Sequence, residues 1–505
     1  MKAQLLATAT VAVLASTLAA AAPASATTGP ASPALSWGGC PPPLIERDPR
    51  QQCTTLPVPL DYRSPRGRTI DIVLSRIATA KPGLRRGTLV INTGGPGAVG
   101  VDAPSFFAAL MPSEVLDRFD MVSFDPRGVG YSAPISCNFP HVAPEVEQRY
   151  ADIDGSIDRN VAYARDLAQR CATFGGDTLP YITTANTARD IDLIRAALGE
   201  PRISYLGYSY GTYLGAVYRT MFPRRADRFV LDSNYDPALS RYNQLRLPSL
   251  GTALRLPDFT RWAAARDDRY HLGATAAAVR QTYDTLTARL DAAPLTMPDG
   301  TVVTGNLLRI QTFESMYADA QFPGLAETWQ AFAGATSTSR VPATLAVRGA
   351  TNPAAAQIPA DNQPSVQLAI HCNDDTWPRD IATYRTNVAI DRKVFPATAG
   401  FPANIWPCAF WPHPQIEPAV RVTGIGNRNV LLVQNLRDPA TAWVGALGMQ
   451  RALGSDAVLL SIDQGGHIAY LLTASACAND TTTAFLTRGV LPAGSRLCPG
   501  QPLPA

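Results

Sequence analysis

Short apolar runs alternate along this chain with segments whose apolar residues recur at helical spacing. Residues 69–77 (TIDIVLSRI) alternate between apolar and polar positions and are rich in β-branched side chains, so a strand is predicted there. Residues 88–92 and 121–124 are short apolar runs, each followed by a glycine-rich turn. Residues 186–199 carry apolar side chains at helical spacing and stop at Gly199. Strands that alternate with helices in this way predict a mostly parallel, doubly wound sheet covered on both faces.

The alternation continues to residue 235 and then changes. RISYLGYSYG (residues 202–211) is predicted to form a strand and a turn, followed by a helix that ends near Pro223 and by a further strand, RFVLDSN. From about Asp236 to Gln363 the pattern is mostly helical, with one hairpin-like piece, LTMPDGTVVTG. Strand and helix signals return at NVLLVQNLRDPATAWVGALGMQRALG and AVLLSIDQGGHIAY. An insertion at this point predicts a lid above the carboxyl edge of the sheet, where open α/β sheets bind ligands.

These patterns divide the chain into four predicted parts. Residues 27–235 form the first part of an α/β core, residues 236–363 a helical lid, and residues 364–505 the second part of the core with a disulfide-pinned tail. Residues 1–26 combine a positive start, an apolar stretch and a small-x-small site, which is typical of a secretory signal peptide cleaved after Ala26. The alternative, a membrane anchor, fits the alanine-rich stretch and the cleavage site less well. We therefore expect a secreted protein.

Composition narrows the classes of partner. The formal net charge is +3 with scattered basic residues, so neither nucleic acid nor a membrane surface is expected as a partner. Eight cysteines in an exported chain favour disulfides, and the absence of a CxxC pair argues against a zinc site. The simplest pairing joins the cysteines in order, namely Cys40 with Cys53, Cys137 with Cys171, Cys372 with Cys408, and Cys477 with Cys498.

The pentapeptide GYSYG places Ser209 between Gly207 and Gly211, after a predicted strand and before a predicted helix. A serine on such a tight turn projects its hydroxyl above the sheet, and glycines two residues away on either side remove the collisions that larger side chains would cause. The N–H of the next residue, Tyr210, then points into the same space as a donor for an oxyanion. The motif therefore predicts that Ser209 is a nucleophile.

A serine hydroxyl needs a base to take its proton, and the base needs a carboxylate to orient it. His467, in DQGGHIAY, lies after the last predicted strand of the core; His371, in AIHCNDD, is the strongest alternative histidine. Asp438, in LLVQNLRDPATA, directly follows a strand and is our candidate carboxylate. Asp232 and Asp463 are rivals, and we expect Asp232 to cap the element that follows it.

A second oxyanion donor is expected in the loop NTGGPGAVG after an early strand, because bare glycine backbone lets a substrate carbonyl approach closely. We expect the N–H of Gly95 to be this donor, with Gly94 as the alternative. The motif DPRGVGYS lines the same edge of the sheet. Its Asp125 and Arg127 are expected to hold the loop as an ion pair.

Taken together, GGPG, DPRGVGYS, GYSYG, RDPAT and GGH resemble the α/β-hydrolase peptidases of the proline iminopeptidase and secreted actinomycete tripeptidyl aminopeptidase group. AIHCND and the region around the last two cysteines are similar to the tripeptidyl aminopeptidase branch. The resemblance implies the α/β-hydrolase fold with a helical lid, the triad Ser209, Asp438 and His467, and no cofactor or metal. It also implies a serine exopeptidase that releases short peptides, such as tripeptides, from free N-termini.

An aminopeptidase must also hold the ammonium group of its substrate, and carboxylates near the lid would do so. The candidates are Glu314, Asp319, Glu327 and Asp374. The expected partners are peptides with a free N-terminus, and the expected state is a monomer. Two alternatives stay open: a secreted carboxylesterase or lipase with the same triad, and a binding protein that keeps the fold without catalysis.

Overall fold

The fold is built on strands that form from short apolar runs of the sequence. The computed structural model describes residues 35–43, 45–297, 302–334 and 358–503. The strands in these ranges are Gln52–Pro59 (β1), Thr69–Ile77 (β2), Gly87–Asn92 (β3), Phe119–Phe124 (β4), Ile203–Tyr208 (β5), Ala226–Asp232 (β6), Leu295–Thr296 (β7), Val302–Val303 (β8), Val430–Arg437 (β9), Ala457–Gly465 (β10) and Arg496–Cys498 (β11).

The main sheet has nine strands among the described residues, in the order β1-β2-β4-β3-β5-β6-β9-β10-β11. β2 pairs antiparallel with β1 and β4, and every later pair in this order is parallel. The central strands β3 and β5 are buried along their whole length. Val90 of β3 packs into one apolar cluster and its neighbours Leu89 and Ile91 into another, so both faces of the sheet are covered.

Helices supply that cover. Their bounds are Ala103–Ala108 (α1), Ser113–Leu116 (α2), Pro144–Glu147 (α3), Asp158–Phe174 (α4), Thr184–Ala197 (α5), Tyr210–Met221 (α6), Arg241–Gln244 (α7), Leu247–Ala264 (α8), Asp267–Tyr270 (α9), Ala276–Ala292 (α10), Gly305–Ser315 (α11), Phe322–Gly334 (α12), Asn362–Asp374 (α13), Ile381–Val394 (α14), Trp443–Leu453 (α15) and Ala476–Arg488 (α16). α4, α5, α6 and α15 pack on one face, and α1, α2 and α16 on the other. This arrangement is the α/β-hydrolase fold, as the sequence predicted.

The segment between β6 and β9 is mostly helical. It contains α7 to α14 and the small hairpin of β7 and β8, and much of it packs around its own apolar cluster. The predicted lid boundary at residue 363 falls inside α13, and helical turns continue to Phe410 before the sheet resumes at Val430. This segment leaves the sheet at the carboxyl end of β6, so it lies on the side where open α/β sheets bind ligands.

Two strands at the edges of the sheet were not predicted. β1 contains Pro57 and Pro59, which weaken a strand signal but are tolerated on an edge strand. β11 lies in the tail, where the sequence predicted only a helix and a Pro-rich end; it pairs in parallel with β10. Disulfide Cys477–Cys498 joins α16 to this strand, so the tail is part of the sheet.

The predicted ion pair between Asp125 and Arg127 is wrong. Arg127 instead pairs with Asp190 of α5 at 2.6 Å, and both side chains are completely buried. The Asp125 carboxylate accepts three backbone N–H groups, from Gly100, Val101 and Tyr131. Burial raises the pKa of Asp125 to about 6. The turn after β4 sends the two side chains to different neighbours, which their closeness in sequence does not reveal.

All eight cysteines lie in the described part of the chain and form disulfides. The pairs are Cys40–Cys53, Cys137–Cys171, Cys372–Cys408 and Cys477–Cys498, the sequential arrangement. Four disulfides are typical of extracellular proteins. Among the described helices, none is both long enough and apolar enough to cross a bilayer.

Candidate active site

Ser209 occupies the tight turn between β5 and α6, with φ 55° and ψ −124°. Glycine is needed on both sides of it. A Cβ on Gly207 would lie 2.5 Å from the Gly211 carbonyl oxygen, and a Cβ on Gly211 would lie 2.6 Å from Oδ1 of Asn92. A non-glycine residue in a left-handed backbone conformation is strained, and such strain is commonly found at functional sites.

His467 follows β10, and its ring contacts the carboxylate of Asp438, which follows β9. Nδ1 of His467 lies 2.9 Å from Oδ2 and 3.0 Å from Oδ1 of Asp438. Asp438 is buried and also accepts N–H groups from Ala440 and Thr441 at 2.8 Å and the Thr441 hydroxyl at 2.9 Å. A carboxylate only accepts, so Nδ1 carries the proton and leaves Nε2 free to act as a base.

Both residues of this pair have pKa values that are shifted from their usual values. Burial lowers the pKa of His467, but the charge and hydrogen bond of Asp438, together with the charge of Asp232, outweigh burial, and the pKa is raised overall. Burial raises the pKa of Asp438, but the charge and hydrogen bond of His467 outweigh it, and the pKa is lowered overall. The pair therefore favours an imidazolium beside a carboxylate once His467 has taken a proton.

Asp232, at the end of β6, holds the turn at Ser209 and the loop of His467 against each other. Its carbonyl oxygen accepts the Ser209 N–H at 2.9 Å. Its carboxylate accepts the N–H groups of Ala469 at 3.1 Å and Tyr470 at 2.6 Å, just beyond His467. Burial raises the pKa of Asp232 to about 7. Asp232 thus anchors the loop after the histidine and does not cap the element that follows it in sequence.

The other rival carboxylate, Asp463, is engaged elsewhere. It pairs with Arg437 at 2.5 Å, and its side chain is 56% exposed. His371, the alternative histidine, is completely buried in α13, with its ring 5.5 Å from that of Trp406. Burial lowers the pKa of His371 well below its usual value. Neither residue meets the turn at Ser209.

The glycine loop after β3 lies against Ser209. A Cβ on Gly94 would be 3.0 Å from Cβ of Ser209 and 3.3 Å from the nitrogen of Tyr210. The N–H of Gly94 donates to Oδ1 of Asn92 at 3.1 Å, so it is already used. Tyr210 is the first residue of α6, and its N–H has no acceptor within the helix. Gly95 and Tyr210 are therefore the better candidates for the two oxyanion donors.

A cavity of about 530 Å³ opens beside these loops. Tyr317, in its wall, accepts the His467 N–H on its carbonyl oxygen at 2.8 Å, and its ring lies 5.2 Å from the imidazole. Gln367, also in the wall, lies against the oxyanion loop, since a Cβ on Gly97 would be 3.2 Å from its nitrogen. The described lining is largely aromatic and apolar, with Phe139, Tyr150, Tyr163, Ile310, Phe313, Leu368, Phe401 and Trp406.

Two carboxylates line this cavity, Glu314 and Glu147. Burial raises the pKa of Glu314, and the charge of Glu147 raises it further, so the two groups act on each other. Glu314 was among the sequence candidates. Glu147 was missed because a glutamate in the four-residue helix α3 carries no sequence signal, and only the fold places it in the same cavity as Glu314.

The other candidate carboxylates are engaged away from this cavity. Asp374 is buried, accepts the N–H of Thr184 at 2.9 Å, and lies 3.8 Å from Arg241. The hydroxyl of Thr184 also bonds that of Tyr210, so Asp374 supports the residue after Ser209. Asp319 pairs with Arg255, and Glu327 is an exposed partner of Arg269. Within the described ranges, no cluster of three or more metal-ligating side chains occurs.

Comparisons with known proteins identify the family. Residues 397–498 match the family model described as TAP-like protein. The tripeptidyl aminopeptidase of Streptomyces lividans is 36% identical over 452 residues, covering 87% of this chain and 82% of the relative. Serine protease Hip1 of Mycobacterium tuberculosis is 29% identical over 469 residues, covering 88% and 87%. Carboxylesterase B of the same species is 29% identical over 483 residues, covering 92% and 90%. The chain therefore belongs to the tripeptidyl aminopeptidase group of α/β-hydrolase serine peptidases.

Proposed function

We propose that this protein is a secreted exopeptidase that removes tripeptides from free N-termini, with Ser209 as nucleophile, His467 as base and Asp438 as the orienting carboxylate. The observation that supports it most is the joint anchoring of the Ser209 turn and the His467 loop on Asp232. His467 is at the same time paired with a buried carboxylate. This combination supplies a nucleophile, a base and an orienting group at one edge of the sheet.

In the proposed reaction, Nε2 of His467 takes the proton of the Ser209 hydroxyl as Oγ attacks the scissile carbonyl carbon. The N–H groups of Gly95 and Tyr210 donate to the oxyanion that forms. The imidazolium, stabilised by Asp438, then gives its proton to the leaving amine nitrogen, and the C–N bond breaks. Water, deprotonated by His467, attacks the acyl-enzyme ester, and Ser209 recovers its proton as the peptide acid leaves.

Recognition of the substrate N-terminus is assigned to Glu147 and Glu314. Both side chains are solvent-exposed and line a largely aromatic cavity, so they are available for charge-assisted hydrogen bonds with an ammonium group. A bound ammonium also offsets the repulsion that raises the pKa of Glu314. A carboxylesterase would have no use for two carboxylates in its acyl pocket, so this feature supports the peptidase over the esterase.

The signal peptide at residues 1–26 lies outside the described residues and stays a prediction. Four disulfides favour an oxidising compartment, which supports secretion. N-terminal sequencing of protein recovered from the culture medium tests this part of the proposal. A mature chain that begins at Thr27 is expected, and protein retained only inside cells would contradict secretion.

Mass spectrometry of matched peptides tests the activity. A peptide with a free N-terminus is expected to lose its first three residues, and its N-acetylated twin is expected to stay intact. Labelling by a fluorophosphonate is expected on Ser209 and is expected to disappear in the Ser209→Ala variant. Rapid cleavage of a short acyl ester without cleavage of a tripeptidyl anilide would instead support the carboxylesterase.

A further inference from the structure

Arg149 is the one basic side chain among the described residues that line the cavity beside His467. Its backbone is left-handed, with φ 61°, which is uncommon for a long side chain. Its guanidinium stacks 3.8 Å from the ring centre of Trp406, which also lines the cavity. The carbonyl oxygen of Arg149 accepts the side-chain amide of Asn404 at 2.7 Å, which fixes the backbone at this point.

Arg149 differs from the other arginines that are largely buried. Four of these have a carboxylate partner at 2.8 Å or less: Asp190 for Arg127, Asp456 for Arg219, Asp258 for Arg255 and Asp291 for Arg309; a fifth, Arg241, lies 3.8 Å from Asp374. For Arg149, no ion pair with a carboxylate occurs within the described part of the chain, and its Nε has no hydrogen-bond partner there. Burial lowers the pKa of Arg149 to about 10, so the group is still charged at neutral pH.

The charge of Glu147 acts on Arg149 but does not offset its burial. A desolvated guanidinium without a direct ion pair is costly, and a bound anion would recover much of that cost. A substrate carboxylate matches the guanidinium fork with two parallel hydrogen bonds, whereas a neutral carbonyl offsets the charge only in part. In the proposed reaction Ser209 attacks the carbonyl carbon of the scissile bond, and the other backbone carbonyls of the released segment are neutral. The source of a carboxylate within that segment is therefore an acidic side chain.

We infer that Arg149 binds the side-chain carboxylate of an aspartate or glutamate in the released segment, so that the enzyme prefers acidic N-terminal peptides. The inference rests on the proposed function, because it places the released segment in this cavity. In this arrangement Glu147 and Glu314 hold the substrate ammonium, and Arg149 holds the acidic side chain. The cavity then recognises two opposite charges of one peptide, the ammonium of its N-terminus and the carboxylate of a nearby side chain.

The experiment compares tripeptidyl anilides that carry glutamate or glutamine at each of the three positions in turn. For the wild-type enzyme, kcat/KM is expected to favour glutamate by about tenfold or more at one position, the size expected for a charge-assisted contact. Arg149→Met is expected to bring that ratio close to one while the glutamine substrates are still cleaved. Arg149→Lys, which keeps the charge, is expected to retain part of the preference.

Arg165→Met is the matched control, because Arg165 also stacks on an aromatic ring, 4.7 Å from the centre of Phe410, but is exposed and does not line the cavity. Its ratio is expected to equal that of the wild type. A wild-type ratio of one or less at all three positions overturns the inference, and so does a preference that persists in Arg149→Met. If Arg149→Met does not fold, as judged by thermal melting, the wild-type ratios and Arg149→Lys decide. Failure to cleave any glutamine substrate contradicts the proposed function instead.

Discussion

At the scale of single residues, the electrostatics of the candidate site follow from burial and from a few close charges. Asp438 and Asp232 are buried, and His467, whose side chain is 9% exposed, lies with them in one hydrogen-bonded region. Their pKa values are set by the competition between desolvation and each other's charge. The sequence identified Asp438 and His467 from their positions after strands. The role of Asp232 as an anchor for the histidine loop depends on contacts more than 230 residues apart in sequence, which no local pattern contains.

The first prediction concerns pH. His467 must be neutral to accept a proton, so kcat/KM is expected to fall as pH drops through its pKa. Because Asp438 raises that pKa, the fall should occur above the usual histidine value of about 6.5. Asp438→Asn removes the raising charge and leaves burial, so the midpoint should move to lower pH while the rate drops by roughly 10⁴-fold.

The measurements for this prediction are the pH profile of kcat/KM and that of fluorophosphonate labelling. Asp232 also faces His467, and burial raises the pKa of Asp232 to about 7, so Asp232→Asn is the control that isolates its part of the profile. A midpoint that is the same in wild type and Asp438→Asn would contradict the assignment of Asp438.

The second prediction concerns the substrate N-terminus. Glu314→Gln removes one of the two cavity carboxylates and should raise KM for a free N-terminal substrate by about tenfold, with a smaller change in kcat. Glu327→Gln is the matched control, because Glu327 is exposed and pairs with Arg269 outside the cavity. Kinetics on a tripeptidyl anilide measure both. Equal KM values for the two variants would argue against Glu314 as an ammonium ligand.

At the scale of elements, the candidate site depends on how closely the loop after β3 approaches the turn between β5 and α6. A Cβ on Gly94 would come 2.4 Å from the carbonyl oxygen of Tyr208, so any side chain there forces the two segments apart. The sequence predicted both segments from their glycines, since each follows an apolar strand. It did not predict which N–H of the loop is free, because the bond from Gly94 to Asn92 forms only when the loop folds back.

The third prediction tests this packing. Gly94→Ala should reduce fluorophosphonate labelling of Ser209 by more than about 100-fold, because its Cβ would push the oxyanion loop off the turn at Ser209. Gly176→Ala is the matched control: Gly176 also has a positive φ, 70°, but a Cβ there meets nothing within 4 Å. Backbone strain should cost each variant about 1 kcal/mol of stability, the clash should add to the loss in Gly94→Ala, and only Gly94→Ala should lose activity. Equal labelling of the two variants would contradict the role given to the loop.

At the scale of the whole molecule, buried polar contacts join segments that are distant in sequence. Arg127, after β4, pairs with Asp190 of α5 and donates to the carbonyl oxygens of Pro59 and Leu60 at the end of β1. Tyr62 adds a hydrogen bond to Asp190 at 2.7 Å. This network fixes the antiparallel edge of the sheet to a helix that covers it.

The fourth prediction concerns this network. Arg127→Met leaves Asp190 buried without its cation, and the free energy of unfolding is expected to fall by about 3–5 kcal/mol. Arg68→Met removes the corresponding cation from the pair with Asp177, whose side chains are 55% and 74% exposed, and should cost at most about 1 kcal/mol. Urea unfolding followed by circular dichroism measures both. Similar losses in the two variants would mean that the buried pair does not carry the stability assigned to it.

The sequence by itself determined the alternation of strands and helices, the turn at Ser209 and the order of serine, aspartate and histidine. These features are local, because each depends on only a few neighbouring positions. They are the periodicity of a strand, glycine in a tight turn, and a residue directly after a strand. Tertiary structure alone decided that Glu147 and Glu314 line one cavity, that Asp232 anchors the histidine loop, and that Asp374 and Arg127 serve buried networks. Such contacts depend on which elements the sheet order and the helical segment bring together, and spacing along the chain does not encode distance in the folded protein.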